Sequence, residues 1–328
     1  MSDPRGRYAV EAGEFPVGII SDITLHDAAR KKDLELSLEY PARAANAPLV
    51  IFSHGFGASS RSYVSLSAYW ASQGYVVIKP THADSRLVTK NAARTQADET
   101  PDDWRNRVRD VVFILDSLDL LEQRYPELAG KIDRSRIGVA GHGYGAFTAM
   151  LLAGVRTFPG SVGYADPRVG AVVAMSPQGP REDWGLTTQS WSAVTIPVLY
   201  LTGTLGRGET PEWRRQAFEL ATAPDQWLAV VEGAQEASFT GRLDEILEEE
   251  AERKEKPAGL PRLPTGTDFR EDQVVDRLHT AIRIERAAFE AIRSVSLAFW
   301  DAYLRKEASG RNALEQGTGR PKVTVTGK

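Results

Sequence analysis

Short runs of consecutive apolar residues recur along the chain, with helix-like stretches between them. Pro48-Leu49-Val50-Ile51-Phe52, Tyr75-Val76-Val77-Ile78 and Ile137-Gly138-Val139-Ala140 come first. Residues 169–175, Val198-Leu199-Tyr200-Leu201 and residues 227–231 follow. Runs without polar alternation predict strands buried on both faces, the pattern of a parallel sheet covered by helices. Thr100-Pro101-Asp102-Asp103 predicts a helix start: a cap residue, proline at the first helical position and an acid three residues after the cap. Trp104, Val108, Val111, Val112, Leu115 and Leu118 then recur at helical spacing. Strand alternating with helix places the chain in the α/β class. Nearer the N-terminus, Ile23-Thr24-Leu25 and Leu34-Glu35-Leu36-Ser37-Leu38 alternate on either side of residues 28–33, which predicts an antiparallel hairpin leading into the sheet.

Past the last strand the pattern changes. Residues 242–256 are highly charged, with Glu249/Arg253 and Glu250/Lys254 at the spacing of a solvated helix, and residues 257–267 are rich in proline and glycine. A long helix is expected next, with Leu278, Ile282, Phe289, Ile292 and Phe299 on one stripe. Residues 305–328 read as a polar C-terminal tail, of which residues 309–328, polar and containing glycine, are expected to fray. Without an internal repeat, the economical reading is one domain over residues 1–304 with a charged surface insertion at about 242–272.

Composition and charge narrow the classes. Hydrophobic residues make up 42% and charged residues 26%, as in ordinary soluble globular proteins. Forty basic against forty-four acidic residues leave no basic excess for a nucleic-acid footprint. The absence of cysteine excludes disulfides, thiol catalysis and thiolate metal sites. No run of about 18 apolar residues predicts a membrane span. Met1-Ser2-Asp3-Pro4-Arg5-Gly6-Arg7 leads into no apolar signal region, so the expectation is a soluble, cytoplasmic protein as written, with export of a parent form left open.

Two loops carry candidate chemistry. Ser53-His54-Gly55-Phe56-Gly57 follows the strand ending at Phe52, and Gly141-His142-Gly143-Tyr144-Gly145 joins the strand ending at Ala140 to a helix. A strand-to-helix turn with small residues at both ends is the form of a nucleophile elbow, G-x-S-x-G, in which glycines let strand and helix approach. The backbone N–H groups of Phe56 and Tyr144 would then form an oxyanion hole.

These loops resemble those of the α/β-hydrolase superfamily, nearest to bacterial esterases similar to dienelactone hydrolases, platelet-activating-factor acetylhydrolases and cutinase-type polyester hydrolases. The resemblance runs over residues 45–304. It rests on HGFG at 54–57, THADS at 81–85, GHGYG at 141–145, SPQGP at 176–180, GTLGRG at 203–208 and EGAQEASFTGR at 232–242. It implies a mostly parallel sheet of about eight strands flanked by helices, and an ancestral hydrolysis of carboxylic esters without metal or organic cofactor. It also implies a small-molecule ester or ester-like ligand, held in a pocket near His54, Gly55, His82, His142, Trp184 and Trp191. The departures fall on the catalytic positions. Gly143 stands where the family has its serine, Gly206 where G-T-x-D has its aspartate, and Glu236 where G-A-x-H has its histidine.

A serine acyl-enzyme cannot form on these residues. Three readings follow: a disarmed esterase retaining its oxyanion hole, a repurposed enzyme using a desolvated Glu236 as general base, and a non-catalytic binding protein. Undisturbed neighbouring motif residues favour engineering over drift, and Gly206 avoids setting an aspartate beside Glu236. Two other readings carry less. GHGYGA fits the dinucleotide pattern G-x-G-x-x-A, but it follows several strands, and the next strand ends at Met175-Ser176 rather than at an acid. His26 and His279 have no partners at metal-ligand spacing, and hydrogen bonding within their own loops is the plainer role for His54, His82 and His142.

Overall fold

The computed structural model describes residues 8, 12–89, 101–158, 161–205, 210–241, 271–318 and 323–328. The charged segment from 242, the Pro/Gly-rich stretch after it, Thr100 and Gly206 lie outside the described residues, as do the side chains of Leu278 and His279.

The apolar runs form the middle of a nine-stranded sheet. Its strands are β1 (Val17–Asp27), β2 (Lys32–Pro41), β3 (Ala47–Ser53), β4 (Val76–Pro80), β5 (Ile132–His142), β6 (Val169–Met175), β7 (Val198–Gly203), β8 (Gln226–Val231) and β9 (Val323–Gly327). Their spatial order is β1-β2-β4-β3-β5-β6-β7-β8-β9. From β4 across to β8 every pairing is parallel; β1 with β2, β2 with β4 and β8 with β9 are antiparallel. The expected hairpin is the β1–β2 pair, in register from Ile23↔Leu36 to Asp27↔Lys32.

Burial on both faces explains the unbroken apolar runs. All seven residues of β3 are buried, yet they serve two cores by the period-two alternation of a strand. Leu49 and Ile51 join Trp104, Val108, Phe147 and Leu151 on one face. Val50 and Phe52 join Leu66, Trp70, Ile292 and Phe299 on the other. The first face is covered by helices α3 (Pro101–Asp116) and α5 (Tyr144–Ala153), and the second by α1 (Val64–Ser72) and α7 (Glu271–Tyr303). Shorter helices α2 (Arg86–Thr89), α4 (Leu118–Arg124), α6 (Pro211–Leu220) and α8 (Ala308–Gln316) complete the described set.

The fraying expected of residues 309–328 is corrected. They supply α8, with Ala313 and Leu314 buried, and β9, the ninth strand. The strand carries only the alternation Val323-Thr324-Val325-Thr326, with its two valines partly buried against the core. One covered face needs two apolar residues, too few to stand out as a run.

At the centre of the sheet, β5, α5 and β3 meet with backbone against backbone. A Cβ on Gly145 would lie 1.9 Å from the Ser53 carbonyl oxygen, and one on Gly141 would lie 2.1 Å from the Gly145 carbonyl oxygen. Neither collision can be relieved by a rotamer change. Gly145→Ala should therefore cost about 3 kcal/mol or more, a fall of roughly 4 °C or more in Tm for a chain of this size. Gly170→Ala, whose Cβ would rest 3.6 Å from the Ile137 carbonyl oxygen, should stay close to the parent in the same thermal melt.

Candidate functional site

The turn from β5 into α5 has the conformation its sequence predicts. Gly143 adopts φ +55° and ψ −114°, a region that costs an L-residue about 1–3 kcal/mol and glycine almost nothing. Its N–H donates to the Met175 carbonyl at 2.9 Å, and its carbonyl accepts from Gln178 Nε2 at 2.9 Å. The elbow is thus pinned to the end of β6 and to the SPQGP loop. A Cβ on Gly143 would meet one side-chain atom within 4 Å, Glu236 Oε1 at 3.2 Å. Two of the three family positions are therefore neighbours; the third, Gly206, lies outside the described residues.

Glu236 opens a short 3₁₀ turn, Glu236–Thr240, after β8. A capping box holds that turn: the Gln235 side chain accepts from the Ser238 backbone, and Ser238 Oγ accepts from Gln235 N–H at 3.0 Å. Glu285 on α7 braces both residues, accepting from Gln235 Nε2 at 2.6 Å and from Ser238 Oγ. The Glu236 carboxylate then bridges two cationic or polar groups. Oε2 accepts from Arg214 Nη2 at 3.0 Å, and Oε1 lies 3.1 Å from His142 Nε2.

Each partner is itself held. Arg214 sits in the first turns of α6, whose start is set by the Thr210 cap on Trp213 N–H and by Pro211. Its Nη1 donates to the Ser176 and Pro177 carbonyls, so the guanidinium ties the SPQGP loop to Glu236. His142 is the last residue of β5, and its ring stacks on Phe239 at 5.5 Å. Tyr63 Oη accepts from Gly55 N–H at 3.1 Å and lies 2.8 Å from His142 Nδ1. The phenol thus couples the HGFG loop to the His142 ring, whose Nε2 faces Glu236. Burial pushes the Tyr63 phenol up, so it stays protonated.

Burial would raise the affinity of Glu236 for a proton, but the charge of His142 and its hydrogen bond, Arg214, and a hydrogen bond from Ser176 outweigh it and bring the pKa down to about 2. Ion pairing here outweighs the desolvation expected of this carboxylate. A carboxylate this acidic is ionised at neutral pH and has little driving force to take a proton.

The other expected site residues divide. Gly55 lies against the elbow, where a Cβ would come within 2.9 Å of Tyr63 Oη and 3.3 Å of His142 Nδ1. The Phe56 and Tyr144 rings meet edge to face at 6.5 Å, so the two loops proposed to form an oxyanion hole are in contact. Trp184 packs edge-on against Tyr144 at 5.2 Å. His54, His82 and Trp191 are each buried to 1% exposure or less. The two histidines sit beneath the HGFG loop, where their hydrogen bonds go to the protein itself. His54 Nδ1 is 2.6 Å from the Gly55 carbonyl, and its Nε2 accepts from His82 N–H at 3.0 Å.

The same layer contains a relay that the sequence did not disclose. Ser53 Oγ is 2.9 Å from His82 Nε2, and His82 Nδ1 is 2.9 Å from Asp110 Oδ2. The spacing is that of a serine–histidine–aspartate triad, but all three side chains are buried. Arg107 Nη1 also donates to Ser53 Oγ at 3.2 Å, and Lys32 and Arg30 cover Asp110. No substrate carbonyl can reach this serine, so the relay is structural. Arg107 anchors the loop above by donating to the His54 carbonyl at 2.7 Å and bidentately to Asp84. Burial and the Arg107 charge lower His82 to about 4, which keeps it neutral.

Comparison with known families accords with this geometry. Residues 50–305 match the model of the alpha/beta hydrolase family, and the chain belongs to that family. The match covers the sheet from within β3 to β8, the elbow, the SPQGP loop and the turn bearing Glu236. Among the described residues no helix is long and apolar enough to cross a membrane, and no group of three or more metal-ligating side chains forms.

The ion pair has a pH signature. The Glu236 proton affinity is lower in the folded chain than the ordinary carboxyl value of 4.5, so its contribution is complete above that pH and is lost as pH falls toward about 2. Glu236→Gln should reduce unfolding free energy at pH 7 by about 1 kcal/mol, the scale of a half-exposed charge-assisted contact after solvent screening. In urea titrations the difference between parent and variant should shrink steadily below pH 4.5. A difference that does not change with pH would show that Glu236 is not held by charge.

Proposed function

We propose that this chain is a family member that has given up serine ester hydrolysis and uses the former catalytic elbow to bind a small ester-like molecule. The observation that carries the reading is the placement of Glu236 Oε1, which stands 3.2 Å from the point where a nucleophile's Cβ would begin. A carboxylate fixed there fills the space from which a nucleophile would attack, and the glycine beneath it offers no nucleophile. The backbone N–H groups of Phe56 and Tyr144 remain the candidate anchors for a ligand carbonyl. Trp184 and Phe56 would supply apolar wall.

The ion pairs also bear on how the site arose. A disarmed esterase would leave Glu236 as a misfit beside loops built for other residues. Instead Arg214 reaches Glu236 while satisfying two carbonyls of the SPQGP loop, and His142 faces the other carboxylate oxygen. We infer an adapted arrangement rather than a set of inactivating replacements. General-base chemistry at Glu236 has no comparable support, because the group is too acidic.

Hydrolysis of p-nitrophenyl acetate and butyrate tests the reading. The parent chain should show no turnover above background and no acyl adduct by intact mass. The triple variant Gly143→Ser, Gly206→Asp, Glu236→His should gain at least about 10³-fold, the scale of the contribution from a working triad. Turnover by the parent with an acylated residue would overturn the proposal, and an inactive but folded triple variant would overturn the placement of the ancestral site.

A further inference from the structure

A second candidate site lies away from the elbow. Between α6 and the outer face of β8 and β9 runs a half-open groove of about 480 Å³, within the size range of small-molecule sites. Its floor is apolar, made by Leu228 and Val230 on β8. Thr326 and Thr324 stand opposite these residues on β9, and Thr204 closes the upper end. None of these residues belongs to the elbow.

Two charges line this groove without neutralising each other. Arg215, on the α6 face opposite the floor, has a buried Nε with no hydrogen-bond partner among the described residues. Glu232, just past the end of β8, is exposed at the rim and forms no ion pair with it. Arg215 has no ion-pair partner among the described residues, so its guanidinium charge is left for a ligand anion in the groove. Thr204 accepts from Gly233 N–H at 2.9 Å, so its own hydroxyl proton is available to the groove. Donors therefore gather around Arg215, an acceptor of opposite charge stands at the rim, and an apolar strip runs below both.

We propose that this groove binds a zwitterionic small molecule of the α-amino-acid type with an apolar side chain. Its carboxylate meets Arg215 and the threonine hydroxyls, its ammonium meets Glu232, and its side chain lies along Leu228 and Val230. An anion alone leaves Glu232 as a like charge nearby, and a cation alone leaves the Arg215 charge unpaired. A ligand carrying an ammonium and a carboxylate on one carbon answers both. This inference stands apart from the elbow reading, since no groove residue takes part in it.

Calorimetric titration of the full chain with L-leucine tests the proposal, with 4-methylpentanoate and 3-methylbutylamine as the carboxylate-only and ammonium-only halves. Leucine should bind saturably in the millimolar range or tighter, and each half-ligand should bind at least about tenfold more weakly. Arg215→Met and Glu232→Gln should each weaken leucine by about tenfold or more while leaving the thermal melt close to the parent. No saturation up to about 10 mM, half-ligands that match leucine, or an Arg215→Met variant with unchanged affinity would each overturn it.

Discussion

The architecture turns on one close approach, that of the Gly145 Cα to the Ser53 carbonyl where α5 leaves β5 beside β3. No side chain fits between these backbones, and the chain must reverse from strand to helix within a few residues. That constraint drives Gly143 into positive φ and points it away from the sheet. It also brings His142, Tyr63 and Gly55 into one hydrogen-bonded group beside it. In a serine hydrolase this strained turn exposes the nucleophile. Here the same turn carries a glycine, for which that conformation is unstrained.

What occupies the vacated ground is an electrostatic arrangement. The Glu236 carboxylate lies between Arg214 and His142, and the two partners come from opposite sides of the loop cluster, one from α6 and one from β5. Arg214 is buried while Glu236 is half-exposed, so the guanidinium needs its acceptors more than the carboxylate needs its donor. The carbonyls of Ser176 and Pro177 meet part of that need and lock the SPQGP loop in the process. Beneath, the Arg107–Asp84 pair and the Ser53–His82–Asp110 relay hold the floor of the HGFG loop with neutral histidines. Two arginines thus shape two adjacent loops, each by donating to backbone carbonyls as well as to an acid.

Much of this was legible from residue order, and the parts that were not share a physical cause. The buried parallel strands announce themselves because both faces need apolar residues, and the elbow does so because only glycine fits at 141 and 145. The β9 strand hid because one covered face asks for only Val323 and Val325. Arg214 hid for another reason: a lone arginine on an amphipathic helix looks solvated until the fold sets two carbonyls and a carboxylate around it. The same holds for Glu236, whose proton affinity depends on neighbours 22 and 94 positions away in the chain. Ser53, His82 and Asp110 come from three separate elements, and no local spacing marks them as partners.

Glu236 is held as a carboxylate anion beside the Gly143 turn, between Arg214 and His142. A pH titration of its side-chain ¹³C resonance, assigned by comparison with Glu236→Gln, measures this directly. The account predicts a midpoint near 2. A midpoint at or above the ordinary glutamate value of 4.5 would contradict it, and would return Glu236 to the reckoning as a working base.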